Sequence, residues 1–132
     1  MKKELPIMIF HKDNQDYYGG DQDWFSDEWA RRAGCASVCA ADMACFYEHK
    51  LDISYPDFLE LMTKMFKLNT PGIMGFPYFY KFAKNFKKYM KHSGLDVEPV
   101  YQKITESAEQ GVHFVKTAID QGHPIGMLIL TH

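Results

Sequence analysis

The run Arg32-Ala33-Gly34-Cys35-Ala36-Ser37-Val38-Cys39-Ala40-Ala41-Asp42-Met43-Ala44-Cys45 constrains this chain more than any other stretch. From Cys35 onward it holds neither Pro nor Gly until well past His49, so it predicts one helix from Cys35 to about His49. Ala36, Ala40, Ala41 and Ala44 are small, and small side chains let neighbouring elements approach closely, so the helix is expected to be buried at the centre of the fold. Gly34 breaks the chain just before it and places the Cys35 thiol on the first turn. There the unpaired N–H groups and the helix dipole favour a thiolate, the form that attacks carbonyl carbon or binds metal. Cys35 is therefore read as a nucleophile, a ligand or a small core residue.

The ligand reading is the weakest. Cys35/Cys39 and Cys45/His49 each have i,i+4 spacing, but the two pairs lie turns apart on one helix, and nothing else supplies the ligands that a tetrahedral site needs. No metal and no cofactor are expected. Cys39 and Cys45 read as packing residues, as most free cysteines are. The nucleophile reading needs a histidine as base. The candidates are His11, His49, His92, His113, His123 and His132. His49 is excluded because it lies roughly 21 Å along the same helix.

A chain of 132 residues with 46% hydrophobic and 24% charged side chains has enough apolar material for one domain with its own core. The cysteines number three and cluster in one segment, which argues for reduced thiols and a cytoplasmic setting rather than a disulfide framework. No apolar stretch approaches membrane-spanning length, and Leu5–Phe10 is too short and too interrupted by Pro6 for a secretory signal. The net charge of −2 gives no global pull toward nucleic acid or membrane. It divides unevenly, −6 over residues 1–60 and +4 over 61–132, with lysines at 81, 84, 87, 88 and 91. Such runs are read as solvated faces.

Around the central helix, Leu5–Phe10 is expected as a short strand and Lys12–Asp23 as a loop. Ser26 is the expected cap of a short helix over Asp27–Arg32, and Ser54 or Asp52 that of a helix with Pro56 in its first turn, running to about Met65. Gly75–Lys91 reads as a helix whose Phe79, Phe82, Phe86 and Tyr89 form one apolar stripe. That spacing indicates a core face rather than a base-stacking surface, so no nucleic-acid partner is expected. Val97–Tyr101 reads as a strand. Thr105 or Ser107 opens a last helix ending near Gln121-Gly122, and Pro124–Leu130 reads as a buried strand. So apolar a strand needs partners on both sides, and the sheet looks under-supplied.

Several of these segments resemble a known family. Gln22-Asp23-Trp24, the Gly34-Cys35-Ala36-Ser37-Val38 helix start, Thr70-Pro71-Gly72-Ile73 and Ala118–Ile129 with its Gly122-His123-Pro124 step resemble bacterial papain-like cysteine peptidases, in particular the leader-peptidase-like, bacteriocin-processing-like group. The resemblance implies a papain-like α+β fold, with a buried central helix starting at Cys35 and a small, incomplete antiparallel sheet. It implies Cys35 as nucleophile, Gln22 as oxyanion-hole donor, and a peptide or protein substrate cleaved by thiol-dependent amide hydrolysis. The family's base histidine sits on a strand after the element matching Pro124–Leu130. Either His132 takes that role or the catalytic half of the sheet is missing. The under-supplied sheet favours the second, so residues 1–132 are expected to be a single papain-like domain truncated at its C-terminus, its activity left open. The alternative is a non-catalytic binding or assembly module that pairs, as a homodimer, through its C-terminal strand.

Overall fold

The structure, a computed structural model, describes residues 5–6, 9–72, 78–104 and 107–127. Among them the chain is mostly helical, with five α-helices and one two-stranded antiparallel sheet, an α+β-like arrangement.

The sheet is a hairpin of β1 (Ile9–Lys12) and β2 (Gln15–Tyr18), with Phe10 opposite Tyr17 and Lys12 opposite Gln15. The expected strand over Leu5–Phe10 is thus displaced toward the turn, and the expected loop over Lys12–Asp23 contains the second strand. Asp13 and Asn14 make this possible. Both take left-handed backbone angles (φ 53° and 63°), as a tight primed hairpin turn requires, and Asp and Asn tolerate that region better than most residues.

A 3-10 turn at Gln22–Trp24 follows, capped by Asp21, whose carboxylate accepts the Asp23 N–H. The next helix, α1, spans Glu28–Ala33. Its cap is Asp27, not the expected Ser26, since the Asp27 carboxylate accepts the Ala30 N–H at 2.9 Å. The Arg31 guanidinium donates to the carbonyls of Phe25 and Ser26 and closes this corner.

The central helix α2 runs from Cys35 to Tyr47, with Gly34 at its cap. Ser37, Val38, Ala40, Ala41, Ala44 and Cys45 are its buried residues. The alanines admit α3 (Tyr55–Leu68) and α4 (Phe79–His92) against α2. Ser54, rather than Asp52, caps α3, its hydroxyl accepting the Asp57 N–H. Phe58, Leu61, Met62 and Met65 form the buried stripe of α3 at three- and four-residue steps.

Helix α4 buries Ala83, Phe86 and Met90. The expected aromatic stripe therefore holds at Phe86, is half-buried at Phe82 and Tyr89, and is exposed at Phe79. The Asn85 side chain donates to the Leu68 carbonyl at 2.8 Å and to Asn69 Oδ1, tying α4 to the end of α3. The start expected near Gly75 lies outside the described residues. Helix α5 (Ala108–Asp120) is capped by Ser107 and has no buried residue. Val97–Tyr101 is not a strand: it carries apolar residues but pairs with no strand among the described residues. Residues 124–127 are likewise not in a strand, and 128–132 lie outside the described residues. No described helix is long and apolar enough to cross a membrane.

The core is one cluster, in which Phe10, Phe58, Met62, Met65 and Met90 are the largest fully buried side chains. Ion pairs include Lys12–Asp13, Lys64–Glu60 and Lys87–Glu98.

Candidate functional site

Helix α2 has two working faces. The small residues face the core, while Cys35, Cys39, Asp42, Met43 and Phe46 recur at helical spacing and line a cleft of about 680 Å3. The opposite walls are Leu5 and Pro6, the Tyr18–Gln22 turn, and Ile119, Pro124 and Ile125 from the C-terminal part of the chain. A smaller cleft of about 240 Å3 lies against α3, rimmed by Lys50, Asp57, Glu60, Lys64 and Tyr89. It holds no thiol, and Glu60–Lys64 and Glu48–Lys50 ion pairs occupy its charged rim.

Two of the three residues singled out from the sequence meet in the larger cleft. The Cys35 thiol is exposed at the first position of α2. Gln22 lines the same cleft from the 3-10 turn, where its side-chain amide donates to the Arg31 carbonyl at 2.6 Å. An amide carries two N–H donors, so this bond orients Gln22 and leaves one donor uncommitted. The third, His132, lies outside the described residues.

None of the other histidines lines this cleft. His11 Nδ1 pairs with the Asp16 carboxylate at 2.6 Å, and His123 Nδ1 is hydrogen-bonded to the Tyr47 hydroxyl at 2.9 Å. The second contact fastens the segment carrying Pro124 and Ile125 to the end of α2.

The remaining thiols are held protonated. Burial first, then the Asp42 carboxylate, pushes Cys39 up to about 11, and the same causes push Cys45 up to about 12. Gly126 lies over Cys39: a Cβ there would sit 3.0 Å from the sulfur. Among the described residues no group of three or more His, Cys, Asp or Glu side chains could hold a metal ion.

Sequence reasoning missed Asp42. Its Oδ1 accepts the Gly20 N–H at 2.9 Å, which fastens the Tyr18–Gln22 turn onto α2. Gly19 (φ 93°) needs the freedom of glycine here. At Gly20 the constraint is space, since a Cβ would lie 2.4 Å from Phe58 Cε1. Burial raises the Asp42 carboxyl from 3.8 to about 6, against the smaller downward pull of the Gly20 N–H. The signal was the i,i+4,i+7 spacing of Cys35, Cys39 and Asp42.

The raised value has a stability consequence. Between about pH 4 and 6 the folded protein binds more of this proton than the unfolded chain, so its contribution to stability falls as pH rises through that window. Asp42→Asn, which keeps an acceptor for Gly20, is expected to gain about 2 kcal/mol at pH 7.5 and to lose that advantage by pH 4. Urea unfolding at the two pH values checks this.

No protein-family model, no curated protein and no solved structure matches this chain.

Proposed function

We propose that the cleft is a thiol-dependent hydrolytic site of the cysteine-peptidase type, acting on an amide bond of a peptide or protein segment, on a papain-like scaffold. The observation that carries this reading is the exposed Cys35 thiol at the head of the central helix, opening onto the same cleft as Gln22. In this reading the Cys35 sulfur attacks the carbonyl carbon and an S–C bond forms. The oxyanion takes hydrogen bonds from the Cys35 N–H and from the second N–H of Gln22. The C–N bond then breaks, the leaving amine takes a proton from the histidine, and water hydrolyses the thioester to return the thiol. His132 is the candidate that the family resemblance offers for that histidine, and it lies outside the described residues.

The test is turnover of a fluorogenic peptide-amide library. Cys35→Ser is expected to lower kcat/KM by about 10³-fold or more, and His132→Ala by about 10²-fold or more. Iodoacetamide should alkylate Cys35 at pH 6 faster than it alkylates a simple peptide thiol, and Cys39 and Cys45 hardly at all. Turnover that survives Cys35→Ser, or a Cys35 no faster than the peptide thiol, ends the catalytic reading.

The absence of a described histidine from the cleft lining favours a second reading, capture of a peptide segment without cleavage. It predicts saturable peptide binding that Cys35→Ser leaves intact. The strand-pairing form of this reading rests on residues 128–130, which lie outside the described residues.

A further inference from the structure

The floor of the cleft carries a carboxylate that neither reading uses. Asp42 stands seven positions after Cys35, almost in line with it on α2 and about 10 Å farther along the axis. One of its oxygens accepts the Gly20 N–H, and the other accepts no hydrogen bond from the described residues. The apolar walls of the cleft are Val38, Met43, Phe46, Ile119 and Ile125, and among the described residues no Lys, Arg or His lines it. The other titratable groups of the cleft are Asp21, Tyr18 and the thiols of Cys35 and Cys39, and the buried Cys45 thiol on α2 is near enough to feel the Asp42 charge. None supplies a positive charge.

We infer that Asp42 is a cation anchor, which selects ligands carrying a protonated amine or guanidinium about 10 Å from the group held at Cys35. An ionised carboxylate among apolar walls is unfavourable unless it is paired. An asparagine would hold the Gly20 N–H equally well without that penalty, so fastening the turn does not by itself call for an acid. A ligand cation pairs the free oxygen and adds a charge-assisted hydrogen bond in a poorly solvated place. Extended chain covers about 3.3 Å per residue, so the basic side chain would fall about three residues from the bond at Cys35. The raised proton affinity of Asp42 fits this geometry, because the anchor is then charged above about pH 6 and lost below it.

The inference rests on the cleft reading above, and its test separates the two. The probes are N-(6-aminohexyl)-2-chloroacetamide and its neutral analogue N-heptyl-2-chloroacetamide, which alkylate Cys35 at similar reach. At pH 7.5 the cationic probe is expected to label Cys35 about tenfold faster than the heptyl probe. Asp42→Asn should erase the difference by bringing the cationic probe down to the heptyl rate, and the difference should fade as the pH drops below 6. Equal rates in the unaltered protein overturn the inference. So does an Asp42→Asn variant that slows both probes alike, the mark of a role confined to the Gly20 turn. Loss of the difference in Asp21→Asn but not in Asp42→Asn overturns it too. Because the assay needs only an accessible thiol, it still reports on the anchor if the hydrolytic reading fails.

Discussion

Gly34→Ala is expected to destabilise the protein by about 3 kcal/mol and to change the alkylation rate of Cys35. The reason is space, not backbone freedom. Gly34 has φ −89°, which any residue adopts. A Cβ there would sit 2.4 Å from the Ala30 carbonyl oxygen and 2.6 Å from Phe25 Cε2. Neither neighbour moves easily. Ala30 O is backbone of α1, whose first turn is held by Asp27, and Phe25 is buried against Phe66, with ring centroids 5.6 Å apart. The methyl group therefore splays α1 from α2 at the junction that presents Cys35. Urea unfolding measures the loss, and a change within about 0.5 kcal/mol would show that the junction yields freely.

Phe58→Ala is expected to cost about 4 kcal/mol, lowering Tm by roughly 10 °C or more. Phe58 has no exposed surface and lies where several elements converge. Its ring centroid is 4.4 Å from that of Phe10 on β1 and 6.2 Å from that of Trp24 on the 3-10 turn, and its edge takes the space a Gly20 side chain would need. Removing the ring leaves a cavity that α3 alone cannot close, and it loosens the turn that forms one wall of the cleft. Calorimetry should show the drop, with Tyr80→Ala as a control, since that ring is 50% exposed. A loss below about 1 kcal/mol would mean that the core refills the space.

The helices were largely legible because their signals are local. Ser54 with Pro56, Ser107, and Gly34 before an unbroken alanine-rich run all act within one turn of the position they mark. The hairpin was not legible, because Gln15–Tyr18 has the composition of a loop. It pairs because Asp13 and Asn14 reverse the chain tightly enough to bring it beside Ile9–Lys12. Val97–Tyr101 failed in the opposite way: its apolar residues suggest a strand, but Pro99 at its centre has no N–H to give to a ladder, and no described edge lies beside it. The same division runs through the cleft. The place of Cys35 at a helix start could be read directly. That Gln22 lines the same cleft goes with the hydrogen bonds from Gln22 to the Arg31 carbonyl and from Gly20 to Asp42, tertiary contacts that no spacing announces.

The packing of α2 against α3, its next neighbour in the chain, also bears on how fast the protein folds. The two helices are joined only by the short connection 48–54, where His49 takes a left-handed backbone angle and the Lys50 N–H returns to the Cys45 carbonyl. Closing so short a loop forfeits little chain entropy, and low contact order goes with rapid collapse to the native topology. The α2–α3 pair, of which α2 lines the cleft, is therefore expected to form early in folding. Helix α5, which buries no residue of its own, is expected to join that pair later.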